Sequence, residues 1–358
     1  MARSNRQPTL LGVLLLIGIL AAIAAWQNRD KLFGPKPEDA PNGTAAGPGE
    51  YLFCLWNVEN LFDDQLDHRR APDEEYDKWF ADNAADRELK YKHLSEALLR
   101  MNGGKGPDII ALVEVETVRA AELLRVELNK GLPAGATPYF DEPLMQEVAA
   151  GRHIAPAILT RVRAIANRTK GFGTSRILEA HFKVNDHDLV VLASHWTSQL
   201  TDKSGEHREK YANQIYGRAN AMYKSNPKVD VLVCGDFNDV PESPAVVHHL
   251  HAGSDRQQVA AAVDQLVFLD LLAGKEPKQF GTHFYGGKPL IYDHICVSPG
   301  MLDNSGWSCD PDSVQTVTDG LIRPGSTKRQ PWRFGNHKDD GNRGYSDHFP
   351  VTVKLKVN

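Results

Sequence analysis

What most constrains this chain is a series of short apolar runs, each of which ends on a chemically able polar side chain. Runs at 51–57, 108–115, 155–161, 176–184, 188–196, 229–238, 290–298 and 350–357 are rich in Val, Ile, Leu and aromatics and are bounded by Gly, Pro, Asn or Asp, which is how strands read in sequence. Between some of them apolar residues recur at helical spacing, at 86–101 (Leu94, Leu98, Met101), 118–130 and 206–224,. Helices therefore interrupt the strands irregularly. That order favours two packed sheets with helices outside over a strictly alternating barrel.

The endings carry the chemistry. Asn57 closes the first run in WNVENLFDD, Glu114 the second in DIIALVEVE, and His195 a third in VVLASHWTSQ. Asp236 and Asn238 close VLVCGDFND, Asp293 and His294 sit in LIYDHICVS, and Asp347 with His348 stand before the last run in GYSDHFPV. A single Asn or Asp at a strand end needs no function, because these residues stop strands and cap helices. Six such endings in one domain point to a shared site.

The N-terminus reads differently. Residues 9–26, TLLGVLLLIGILAAIAAW, form an uncharged stretch of 18 residues, just long enough to cross a hydrocarbon core of about 30 Å as a helix. We read 1–33 as a membrane anchor, with a cleaved signal peptide as the alternative because Ala22 and Ala24 offer a small-residue cleavage pattern,. Either reading puts the rest of the chain outside the cytoplasm, tethered or exported, although Arg3 and Arg6 nearly balance Arg29, Lys31 and Lys36 across the run,. Residues 34–50, GPKPEDAPNGTAAGPGE, are a Pro/Gly-rich linker,. The remainder, 51–358, holds no second linker and reads as one catalytic domain.

Charge narrows the partners. With 41 basic and 46 acidic residues the chain carries a formal charge of −5, which excludes a uniformly basic nucleic-acid coat and requires any polyanion to meet local patches. Its four cysteines are too few for a disulfide scaffold and lack the spacing of a zinc knuckle,. Cys54, Cys234 and Cys296 fall in strand runs as core residues, and Cys309 falls in an expected loop, GWSCDPDS.

The ordered set NVENLFD, IIALVEVE, SHW, GDFND, DHICVS and SDHFPV resembles the endonuclease/exonuclease/phosphatase superfamily of metal-dependent phosphoesterases, in its bacterial NVENLFD-type branch. The resemblance spans 51–358. It implies an α/β fold, a four-layer α/β/β/α sandwich of two mixed sheets. It also implies roles: Asn57, Glu114 and Asp347 hold a divalent metal, Asp236 activates the attacking water, and Asn238 positions water and phosphate. His348 faces the phosphate, oriented by Asp293, and His195 is the second histidine of the site. Val113 departs from the family's common Gln before the metal Glu, and Ala155 from an often polar residue.

Those residue types suit the chemistry. An oxygen-only ligand set favours Mg²⁺ or Mn²⁺ over zinc, and a protonated histidine next to a metal stabilises the charge that develops on a phosphoryl group. The expected activity is hydrolysis of phosphodiester bonds, in DNA or RNA, by a monomeric nuclease. A phosphatase or phospholipase acting on a small or lipid phosphoester is the alternative, and an inactive binding domain a minor one. Two basic stretches are candidate substrate contacts: Arg161, Arg163, Arg168, Lys170 and Arg176, and then Arg323, Lys328, Arg329, Arg333 and Lys338, with Trp332 and Phe334 interleaved,. From these, Arg329, Arg333 and Trp332 are the substrate-binding choices. His283, His294, His248 and His249 read as peripheral.

Overall fold

A computed structural model of the chain describes residues 49–139, 142–148, 151–174, 176–339 and 341–358. The apolar run at 9–26 and most of the 34–50 linker lie outside them. Among the described residues no helix is long and apolar enough to cross a membrane.

The strands assemble into two mixed sheets. The first holds β1 (Glu50–Leu61), β2 (Ile109–Val115), β3 (Leu144–Met145), β4 (Ala155–Thr160), β14 (Trp307–Thr316) and β15 (Val351–Val357) in the order β14-β15-β1-β2-β4-β3. The second holds β5 (Lys170–Phe172), β6 (Ile177–Val184), β7 (His187–His195), β8 (Asp230–Asp236), β9 (Ala252–Gly253), β10 (Phe268–Asp270) and β13 (Asp293–Val297) in the order β5-β6-β7-β8-β13-β10-β9. A small hairpin of β11 (His283–Tyr285) and β12 (Lys288–Leu290) stands apart. The central pairs β1/β2 and β7/β8 are parallel, and β1 pairs antiparallel with β15, the first strand against the last.

Strand periodicity decides which side chains fill the seam between the sheets. Tyr51, Phe53 and Leu55 of β1, Leu189, Val191 and Ala193 of β7, Leu232 and Cys234 of β8, Ile295 and Val297 of β13, and Val351 and Val353 of β15 share one core. The alternate residues face helices. Cys54, Trp56, Ile110 and Leu112 pack under α2 (Ala84–Leu99) and α3 (Val118–Gly131), while Val190, Leu192, Val231 and Val233 pack under α4 (Glu206–Ser225). The layers are thus helix, sheet, sheet, helix, as the sequence resemblance implied.

Differences from the sequence reading are local. β1 runs on to Leu61 instead of stopping at Asn57. A helix at α1 (Glu74–Asp82) was not expected. The expected loop around Cys309 is β14, paired with β15 through a register shift between Asp310 and Gln315. All four cysteines are buried and unbridged.

Where β8 begins, Asp230 is buried with Oδ2 accepting from Trp307 N at 2.9 Å and Oδ1 without a partner. Burial pushes its carboxyl up to about 7, and Asp303 adds to the rise. Because the folded value lies above the unfolded one, this group favours the fold at low pH, and that contribution is lost as pH rises from about 4 to about 7. Asp230→Asn is therefore expected to be more stable than the wild type at pH 8 by roughly 1–3 kcal/mol, with the advantage fading by pH 5. Denaturant titrations at both pH values check this; an equal or lower midpoint at pH 8 rejects it.

Candidate active site

The side chains at the strand ends share the parity of the seam. Asn57 follows Phe53 and Leu55, His195 follows Val191 and Ala193, Asp236 follows Leu232 and Cys234, and Asp293 precedes Ile295 and Val297. Each lies two residues along from a core residue, so it points into the same seam. Because β1, β2, β7 and β8 end together and β13 starts beside the end of β8, all converge at one mouth.

Glu114 reaches that mouth by another route. Strict alternation from Ile110 and Leu112 would turn it toward the helices, but β2 shifts register against β4 between Leu112 and Val115, and Glu114 sits at φ 68. The bulge re-aims one side chain, as bulges beside active sites do. Glu59 (φ 51), Asn60 (φ 54) and Asn238 (φ 50) are also left-handed, a conformation that costs non-glycine residues about 1–3 kcal/mol each and clusters at functional sites.

The contacts are dense. Asn57 Nδ2 donates to Glu114 Oε1 at 3.2 Å and to Asp236 Oδ2 at 3.0 Å, bridging the two sheets. Asn60 N–H donates to Glu114 Oε2 at 2.9 Å, and Asn238 N–H to Asp236 Oδ1 at 2.8 Å. The Asn238 side chain turns away and donates to Trp196 O at 3.1 Å. His348 Nδ1 pairs with Asp293 Oδ2 at 2.7 Å, and its Nε2 stands 3.8 Å from Asp236 Oδ2. His195 Nε2 lies 3.7 Å from Glu114 Oε1 and 3.9 Å from Asp236 Oδ2.

Electrostatics separates the two histidines. Burial alone would lower the pKa of His348, but the carboxylates of Asp293 and Asp236 outweigh it and hold the ring well above its ordinary value, as a cation. His195 goes the other way: burial, then Arg176 and Arg152, keep it well below and neutral. Burial pushes Asp236 up to about 7, against the pull of His348 and of its amide donors. One ring is thus a charged donor and the other a neutral one.

The donor set suits a hard divalent cation. Glu114 keeps a partly exposed carboxylate with lone pairs to spare and Asp347 adds another, whereas Asn57 turns its Nδ2 to Glu114 and its Oδ1 to Glu59 N–H at 3.0 Å, so its amide would have to flip to offer oxygen to an ion,. Asp347 stands beside His348 and His283, with ligand atoms of the three within 4.8 Å of one another. Another acidic group, Asp63, Asp67 and Glu116, is held by Arg69 and Thr117.

The structure brings Asn57, Glu114, His195, Asp236, Asp293 and His348 together, with Asp347 at the rim and Asn238 beneath. The basic stretches disperse. Arg168 pairs with Asp188, Lys170 with Glu179, Arg161 with Asp108 and backbone carbonyls, and Lys338 with Glu75. Arg333 binds Glu59 at 2.7 Å, Trp332 packs edge-on against Tyr345, and Arg329 stays exposed with Thr318 at 3.5 Å. From the first stretch Arg176 alone makes contact with the site, through His195.

Two buried charged residues around the site were missed. Glu59, 3% exposed, accepts from Phe334 N–H at 2.8 Å and Gly335 N–H at 3.3 Å as well as from Arg333, so it clamps the segment that leads to Asp347. Its sequence signal is an acid placed between Asn57 and Asn60 at a strand end. Beneath it Lys90 is fully buried, donating to Tyr345 O at 2.7 Å, with no signal in AADRELKYKHL. His283, read as peripheral, packs on His348 with ring centroids 4.3 Å apart, and burial together with His348 lowers it to about 4. His294 is peripheral as expected, held between Asp270 and Asp239 O on the helix-facing side of β13.

Two face-to-face mixed sheets thus carry carboxylates, an amide and a His–Asp pair at their open end. No curated protein matches the sequence. The chain belongs to the Endonuclease/Exonuclease/phosphatase family, whose profile matches residues 53–357. Among solved structures it is similar in fold to TDP2 of D. rerio humanized by 14 mutations, at 15% identity over 86% of this chain and 98% of that one, with a TM-score of 0.50. An endonuclease/exonuclease/phosphatase family protein from Bacteroides thetaiotaomicron aligns at 14% identity over 87% and 99% of the two chains, TM-score 0.51. The mannosyl-6-phosphatase Bt3783 of Bacteroides thetaiotaomicron VPI-5482 aligns at 13% identity over 85% and 99%, TM-score 0.50.

Proposed function

We propose that this chain hydrolyses phosphodiester bonds of nucleic acid by direct attack of water, using Mg²⁺ or Mn²⁺. The observation that carries the hydrolytic reading is the chain of contacts Asp293–His348–Asp236–Asn57–Glu114, which sets a base, a charged donor and a ligand carboxylate around one space. A metal held by Glu114, Asn57 and Asp347 would supply positive charge to the phosphoryl oxygens. Asp236 takes the proton of the attacking water, its orientation fixed by Asn238 N–H and the Asn57 amide,. His348, kept cationic by Asp293, donates to the phosphoryl group as charge builds,. His195 adds a neutral donor.

What supports a polyanionic substrate is the turn at 322–331, closed by the Ile322–Pro331 bridge, which presents Arg323, Lys328 and Arg329. Lys328 lies against Gly287 of the β11/β12 hairpin, whose first residue, His283, touches His348. Basic residues beside a site on a protein of charge −5 favour a phosphate backbone over a neutral ester. The second reading, a phosphatase on a small phosphoester, draws on the likeness to a mannosyl-6-phosphatase. The apolar run at 9–26 would keep this monomeric enzyme at or beyond a membrane.

Activity is expected with Mg²⁺ or Mn²⁺, to vanish in excess chelator, and not to return with zinc. A panel of plasmid DNA, oligo-RNA, bis(p-nitrophenyl) phosphate and a sugar monophosphate decides the substrate class. Turnover that survives chelation overturns the metal reading. Cleavage of the monophosphate with none of either nucleic acid promotes the phosphatase.

A further inference from the structure

Neither the scaffold nor the proposed chemistry accounts for Arg176. It stands just before β6, its carbonyl accepting from His195 N–H at 3.1 Å, and its guanidinium reaches His195 Nδ1 at 3.3 Å. A guanidinium only donates. Nδ1 therefore accepts, the ring proton sits on Nε2, and Nε2 is the atom that faces Glu114 and Asp236. Arg176 thus lies one imidazole width behind the site, on the far side of His195 from the carboxylates.

Its charge is not matched nearby. Among the described residues no carboxylate lies within 4.0 Å of Arg176, whereas Arg161, Arg168 and Lys170 of the same stretch each have one. Arg152 stands on the other flank, held by Asp73 at 2.8 Å and donating to Asn60 Oδ1, while Asn60 N–H in turn binds Glu114. The two cations repel one another and both bear on His195. With Arg152 matched by Asp73 and Arg176 by no close carboxylate, the flank behind His195 carries one positive charge that suits an anion,.

We propose that Arg176, seconded by Arg152, forms a subsite for a second phosphate group adjoining the one that is cleaved. The proposal rests on the phosphoesterase reading, and the second phosphate can belong to the next nucleotide of a strand or to a small bisphosphate. Substrates with two phosphates gain a charge-assisted contact that a lone diester cannot make.

The test compares the full chain with Arg176→Met on an oligonucleotide, a nucleoside 3′,5′-bisphosphate and bis(p-nitrophenyl) phosphate, which has a single phosphorus. The kcat/KM loss on either two-phosphate substrate is expected to exceed that on the single-phosphorus diester by about tenfold or more. The substrate that shows the excess names the source of the second phosphate. Equal losses on all three overturn the proposal and leave Arg176 acting through His195 alone. Calorimetry without added metal gives a readout independent of turnover. Wild type is expected to bind pyrophosphate about tenfold more tightly than orthophosphate, and Arg176→Met to lose the preference. Equal affinities in the wild type reject the subsite even if every ester is cleaved; if no ester is cleaved, the phosphoesterase reading fails while the pyrophosphate preference still decides the subsite. Should Arg176→Met fail to fold, Arg152→Gln is expected to halve the preference or more, and an unchanged ratio there counts against it.

Discussion

Asp236→Asn is expected to lower phosphodiester turnover by at least about 10², the scale of a lost general base, while folding as stably as the wild type or more so. The two halves of that result have one cause. Asp236 is fully buried and burial pushes it up to about 7, so the fold bears the desolvation of the carboxylate proposed as the base. An amide keeps the Asn238 contact without the charge, and a flip of the Asn57 amide restores the second contact,. His348→Ala should differ: it also lowers the rate by about 10² or more, but it leaves Asp293 buried and unpaired, which costs about 3–5 kcal/mol. Steady-state kinetics with metal and a denaturant titration of each variant separate the two. A folded Asp236→Asn enzyme with near-normal turnover removes Asp236 from the mechanism.

The largest stability effect belongs to a residue without a side chain. Gly235 sits at φ 151 in β8, in register with Ser194 of β7, and a Cβ there would lie 1.8 Å from the Ser194 carbonyl oxygen. Backbone, not a movable side chain, occupies the space. Gly235→Ala must push apart the parallel pair that carries His195 and Asp236, so it is expected to cost at least about 4 kcal/mol, beyond the ordinary range for point substitutions. Gly217 in α4 is the control, because nothing lies within 4 Å of its Cβ position. Gly217→Ala should stabilise by about 0.5–1 kcal/mol. Unfolding midpoints of the two variants decide it, and a Gly235→Ala protein that melts with the wild type rejects the steric account.

Much of this could be read in the sequence because strands have a period of two. Asn57, His195, Asp236 and Asp293 share parity with the seam residues of their own strands, so once those runs are recognised the four converge without further information. Glu114 obeys no such rule. Its position follows from a bulge and a left-handed backbone; the sequence marked it as a strand ending, but alternation alone would have turned it to the helices, and its metal role came only from the family resemblance. β14 was lost because Asp310, Pro311 and Asp312 interrupt its alternation with turn-forming residues. The basic stretches misled for a different reason. Asp188 lies 20 residues from Arg168 and Glu59 lies 274 from Arg333, so acids that claim cations after folding are invisible to a short window moved along the chain. The same distance hides Glu59 as a clamp.

The pairing of β1 with β15 carries a consequence in time. The first strand of the domain, which bears Asn57, has its partner at Val351–Val357, and Asp347 and His348 arrive only just before it. Synthesis proceeds from the other end, so until its last residues are made the domain has neither a closed first sheet nor the His348–Asp293 pair. A chain ending before residue 347 has Asn57, Glu114, His195, Asp236 and Asp293 but lacks Asp347, His348 and the strand that closes the first sheet. Closing the first sheet and delivering Asp347 and His348 to the mouth are therefore one folding step.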